Sequence, residues 1–140
     1  MTEPPSGYPP PVSAQLRDGE TLDLRALAEE ICRRYRAEFP DERERYGDAG
    51  MAWCLHDNQY ILNWAVTECN GYGGLERQLA WLAGVLEARD FPLDRLARYL
   101  EIAAEVLADV LAAPHRGLCE TLATGASFVR SRPTFLGAPD

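Results

Sequence analysis

Apolar positions recur at helical spacing along most of the chain, and period-two alternation is almost absent. Leu24, Leu27, Ile31, Tyr35 and Phe39 form one stripe, which predicts a helix from about Leu22 to Phe39. Thr21 or Asp23 is placed to cap it, and Pro40 stops it. A short helical turn over Asp41 to Tyr46 should follow and end at Gly47. A second long helix spans about Ala49 to Cys69 and stops in the cluster Gly71, Gly73, Gly74. A third, from about Leu75 to Arg89, presents Leu75, Leu79, Leu82 and Leu86. After the break Asp90-Phe91-Pro92, a fourth runs from about Leu93 to Ala112. Its apolar residues, Leu93, Leu96, Leu100, Ala103, Leu107 and Val110, step alternately by three and four as a bundle seam does. A fifth covers about Pro114 to Arg130 on Leu118, Leu122, Ala126 and Val129, against the low helix propensity of Gly117, Thr121, Thr124 and Gly125.

Short connections make consecutive helices antiparallel neighbours. The expected fold class is therefore all-α, a four- to five-helix bundle over residues 21–131, with a globin-like arrangement of steeper crossings as the alternative. Residues 1–20 break the periodicity. Pro4, Pro5, Pro9, Pro10 and Pro11 lie among Ser6, Gly7 and Ser13, which reads as a disordered, proline-rich tail of polyproline II character. Residues 132–140 read as a C-terminal tail, with Phe135 and Leu136 the residues placed to pack back.

The second helix differs from the rest. One stripe is ordinary core: Met51, Cys54 or Leu55, Ile61 or Leu62, Ala65, Cys69. A second is aromatic and polar: Trp53, His56 or Asp57, Tyr60, Trp64, three or four residues apart and so on one face. A helix apolar on two faces belongs at the centre of a bundle. His56-Asp57-Asn58-Gln59 nevertheless fills a whole turn with polar groups, and Asn58 falls within the apolar stripe. A buried polar group without a partner costs about 1–3 kcal/mol, so these residues must find bonds in the bundle, with water or with a ligand. Two readings follow. One is a small-molecule pocket walled by Trp53, Tyr60 and Trp64, with His56, Asp57 and Asn63 supplying polar groups. The other is a buried network that holds helix register.

Composition narrows the chemistry. The chain has 140 residues, 46% hydrophobic and 26% charged, which fits one folded domain. Its net charge of −8 makes nucleic acid and anionic membrane surfaces poor partners. Arg33-Arg34-Tyr35-Arg36 is interleaved with Glu29, Glu30 and Glu38 and reads as a solvated helix face. No apolar run reaches membrane-spanning length, and the first residues lack the basic and apolar regions of a signal peptide, so a cytoplasmic location is expected. Every basic residue is arginine, which excludes Schiff-base, phosphate-loop-lysine, kinase-lysine and Ser-Lys chemistry.

Only two histidines exist, His56 and His115, so a three-His zinc site and the HExxH motif are excluded. No Glu-x-x-His pairs stand on two helices for a di-iron site, and no G-x-S-x-G elbow is present. His115 and Cys119 share a helix face and offer half a metal site; His56 beside Trp53 and Tyr60 offers an axial haem ligand. A Cys-His pair would need Cys119 or Cys32 near His56. Without a CxxC pair, Cys32, Cys54, Cys69 and Cys119 read as small buried hydrophobes. Glu101, Glu105 and Asp109 make an acid row at four-residue spacing, either a solvated outer face or an edge for an arginine-rich partner.

The stretch Arg45-Tyr46-Gly47-x-x-Gly50 with Cys54, Asp57 and Tyr60, followed by Trp81-Leu82 and Phe91-Pro92-Leu93, resembles N-terminal helical, non-haem globin-like sensory domains of bacterial regulators. The resemblance covers about residues 22–112 and implies signalling through dimerisation or partner docking. The function expected is accordingly a non-enzymatic sensory or adaptor domain acting on a protein partner or as a homodimer. A small planar or apolar ligand would sit beside the second helix at Trp53, His56, Asp57, Tyr60, Asn63 and Trp64. The alternative is a small haem- or metal-binding protein or enzyme using His56 as axial ligand or base.

Overall fold

The computed structural model describes residues 9–111 and 115–137. Among these the chain forms a two-stranded hairpin, β1 (Ser13–Gln15) and β2 (Thr21–Asp23), and five helices: α1 (Leu24–Glu38), α2 (Glu42–Cys69), α3 (Leu75–Glu87), α4 (Leu93–Val110) and α5 (Arg116–Arg130). The all-α bundle expected from periodicity is present. Of the two caps open to α1, Asp23 serves: its Oδ1 accepts from the Ala26 amide at 3.0 Å. Ala112 and Pro114, expected at the ends of the fourth and fifth helices, lie outside the described residues, as do Pro4 and Pro5.

α2 sits at the centre, touching α1, α3, α4, α5 and β1, while α4 packs chiefly on α5 and α1. The α4 seam is buried through Leu96, Leu100, Ala103 and Leu107; Val110, its expected last member, is exposed. On α2, Cys54, Ile61, Leu62 and Ala65 are buried, but Cys69 at the helix end is exposed, contrary to expectation. The acid row is answered within the chain. Arg98 reaches Glu101 (3.5 Å) and Glu105 (3.3 Å), Arg130 reaches Glu101 (3.1 Å), and Arg34 reaches Asp109 (2.8 Å).

The boundary of the expected N-terminal tail needs correction within the described residues. Ser13 pairs with Asp23, Ala14 with Leu22 and Gln15 with Thr21, and Leu16 and Leu22 are buried. The Arg17 amide donates to Asn70 Oδ1 at 2.9 Å, and Asn70 Nδ2 donates to the Gln15 carbonyl at 2.9 Å. The folded unit therefore begins before residue 21. Strands of three residues are too short for alternation to register, and their backbone groups are satisfied partly by the end of α2. At the other end Phe135 is buried and Leu136 exposed. The Phe135 amide and the Thr134 hydroxyl both donate to Glu87, at 2.8 and 2.6 Å.

The cysteine reading also changes. Cys32 and Cys54 are buried as expected, but they form a disulfide that joins α1 to α2.

Candidate functional site

The site grows from a kink. Gly47 has φ 64° and ψ −157°, a region essentially closed to residues with a Cβ, so the short turn Glu42–Tyr46 leaves the axis of the rest of α2. Gly50 then lets that turn fold close: a Cβ there would stand 2.6 Å from Tyr46 Cβ. The result drives Glu42 into the interior. Its Oε1 accepts from the Tyr35 hydroxyl at 2.5 Å and from Arg95 Nη1 at 2.7 Å, while Arg95 Nη2 holds Asp41 at 2.8 Å. Burial, with Glu42 beside it, pushes the Tyr35 hydroxyl pKa up, and burial does the same to Tyr99. Asp41 is held below the ordinary carboxylate range by Arg95.

Beside this knot the walls are aromatic. Tyr35 and Tyr99 rings lie 4.3 Å apart, Tyr99 stacks on Phe91 at 5.8 Å, and Tyr46 lies 5.6 Å from Phe91. Tyr46, Trp53, Phe91 and Tyr99 line a small cavity together with Glu42 and Asp57. Its volume is about 10 Å³, room for one water.

Three of the four polar residues in the turn of α2 are interior: Asp57, Asn58 and Gln59 are 3%, 0% and 1% exposed. Asp57 Oδ1 lies 3.1 Å from His56 Nδ1, and burial raises the Asp57 pKa against the opposing pull of His56 and Arg89. Asn58 Nδ2 donates to the Cys54 carbonyl at 2.9 Å and approaches the disulfide, 3.6 Å from Cys54 Sγ; its Oδ1 has no hydrogen-bond partner among the described residues. Gln59 Nε2 donates to the Pro11 carbonyl at 3.0 Å, tying the N-terminal segment to α2.

The aromatic stripe is a ladder. Trp53 meets His56 edge-on at 5.5 Å, His56 meets Tyr60 at 5.0 Å, and Tyr60 meets Trp64 at 5.9 Å. Its first rung is covered: Arg89 lies over the Trp53 ring at 4.2 Å, and Trp53 is buried. The later rungs are half-exposed, with the His56 side chain at 19%. Asn63, also half-exposed, takes the Thr67 hydroxyl on its carbonyl at 2.9 Å.

The six expected residues thus share one helix but not one chamber. Trp53 and Asp57 line the small cavity, whereas His56, Tyr60, Asn63 and Trp64 are half-open to solvent. The reason is coverage: Arg89, Phe91 and Tyr46 close over the first part of the face only. Sequence reasoning missed Glu42, Tyr99 and Arg95. Its one signal was the Gly47–Gly50 pair around Tyr46.

Both sulfurs considered for a Cys-His pair are engaged elsewhere. Cys32 is in the disulfide, and Cys119 Sγ donates to the Ala104 carbonyl at 3.6 Å. Among the described residues, the grouping of His, Cys, Asp and Glu side chains placed to hold a metal ion is Asp18, Glu20 and His115, not His115 with Cys119. Comparison of the chain with family models, curated proteins and solved structures finds no match.

Proposed function

We propose that the chain is a non-enzymatic sensory or adaptor domain that docks a partner protein, or a second copy of itself, on the aromatic ladder of α2. The observation that carries this reading is the half-exposure of His56, Tyr60 and Trp64, rings in successive contact on the helix that touches α1, α3, α4, α5 and β1. Rigid aromatic side chains lose little entropy on docking and dominate binding energy at interfaces. The net charge of −8 and the absence, among the described residues, of a helix long and apolar enough to cross a membrane favour a protein partner over nucleic acid or lipid.

The cavity of Tyr46, Trp53, Phe91 and Tyr99 gives the sensory element. A planar or apolar ligand larger than water enters it only if the Glu42–Tyr46 turn swings out about Gly47, which would break the Tyr35–Glu42–Arg95 bonds. The alternative, His56 as axial ligand or base, is supported by Asp57 at its Nδ1, since a carboxylate there orients an imidazole for such work. An absorption spectrum of protein purified from its own host separates the two, because a bound haem would be visible at once.

The test of docking compares wild type with the Tyr60→Ala/Trp64→Ala double variant by light scattering and by co-purification. The reading expects a self-complex or a defined partner complex that the variant loses while keeping its melting temperature within a few degrees, as half-exposed sites allow. A wild-type chain that stays monomeric and partnerless, or a variant that binds as well as wild type, contradicts it.

A further inference from the structure

A second cluster lies at the opposite end of α2, where three segments distant in sequence meet. The hairpin turn brings Asp18 and Glu20 to His115 at the start of α5, and the exposed end of α2 brings Cys69 and Asn70 to the same open cleft. The His115 side chain is only 10% exposed. Both its ring nitrogens face carboxylates: Nε2 lies 2.5 Å from Glu20 Oε2, and Nδ1 lies 4.0 Å from Asp18 Oδ2. Only the Nε2–Glu20 contact is a hydrogen bond; the 4.0 Å between Nδ1 and Asp18 is too long for one. A metal cation seated between the ring and the two carboxylates would fill that gap. The nearby Arg17 guanidinium donates to the Asn70 carbonyl, and no ion pair joins it to these carboxylates among the described residues.

We propose that Asp18, Glu20 and His115 bind one divalent transition-metal ion of the zinc type. Imidazole with two carboxylates is a borderline donor set that suits Zn²⁺, and its two negative charges balance the ion. One ligand atom from each residue already lies within 4.8 Å of the others. Zn–N and Zn–O bonds of about 2.0–2.2 Å place tetrahedral ligands roughly 3.3 Å apart, so both carboxylates must adjust by roughly 1–1.5 Å to share one ring nitrogen. Glu20 and Asp18 are exposed enough to make that move, at 39% and 61%. Water fills the remaining position. Such an ion would pin the hairpin to α5 across 95 residues of sequence. The positive end of α5 also favours carboxylates here without any metal, and the experiment separates the two.

The full chain is titrated with Zn²⁺ by calorimetry and with Co²⁺ by visible absorption. The proposal expects one saturable equivalent, a rise in melting temperature with metal, and Co²⁺ bands of a site containing nitrogen. His115→Gln and Glu20→Gln should each weaken binding by about tenfold or more, and so should Asp18→Asn on the exposed turn, a change that leaves the fold intact. Cys69→Ser and Cys119→Ser should leave it unchanged. Absence of saturable binding, or one equivalent bound equally by wild type, Asp18→Asn and His115→Gln, overturns the proposal.

Discussion

Asp57 holds its carboxyl where water scarcely reaches, and burial raises its pKa against the hydrogen bond from His56. The folded chain therefore keeps this proton more tightly than the unfolded chain. The contribution of Asp57 to stability is greatest below the ordinary aspartate range and is lost as pH rises through the raised folded value. Asp57→Asn should remove that loss, making the variant the more stable protein at neutral pH, with the gain shrinking as pH falls into the ordinary aspartate range. Urea midpoints of both proteins, taken from about pH 3 to 8, test this. Carboxylates held low by arginine, such as Glu38 beside Arg98 and Asp41 beside Arg95, give the opposite trend, and they cancel in the difference between the two proteins. A variant less stable than wild type at neutral pH would mean that the His56–Asp57 bond outweighs the burial cost. That the turn His56–Gln59 could not all face solvent was legible, because Asn58 falls within the apolar stripe. The partner of Gln59 was not legible, since Pro11 lies 48 residues away in sequence.

Among the elements, α2 was legible in its length, its centrality and its break at Gly47, because glycine alone fits that backbone. The hairpin was not: three-residue strands carry no periodic signal, and a proline-rich approach masks them. The helix pair α1–α2 was legible as two amphipathic stripes, yet their disulfide was not, because Cys32 and Cys54 are 22 residues apart with no motif spacing. Closing a loop of that size stabilises by about 3 kcal/mol through the unfolded state. Reduction, or the Cys32→Ser/Cys54→Ser variant, should lower stability by about that amount, read as a shift in urea midpoint with and without a reductant. An unchanged midpoint would contradict a bond between α1 and α2. The expected cytoplasmic location bears on the same bond, since disulfides persist in oxidising compartments and are rare in the cytosol. Thiol titration of protein taken from its own cells shows which state the chain holds there.

At the scale of the molecule, the other four helices and the hairpin close around α2 and leave open one edge, on which His56, Tyr60 and Trp64 stand half-exposed. The three tryptophans sample three depths: Trp53 at 7% exposure, Trp64 half-exposed on the ladder, and Trp81 at 62% on the outer face of α3. Hydroxyl-radical footprinting of the intact chain, read by mass spectrometry, ranks them without any substitution. In the dilute monomer the account predicts oxidation in the order Trp81, Trp64, Trp53. In the complex, Trp64 should fall towards the protection of Trp53 while Trp81 stays unchanged. Trp64 as protected as Trp53 in the monomer, or equally reactive in monomer and complex, would contradict the docking face.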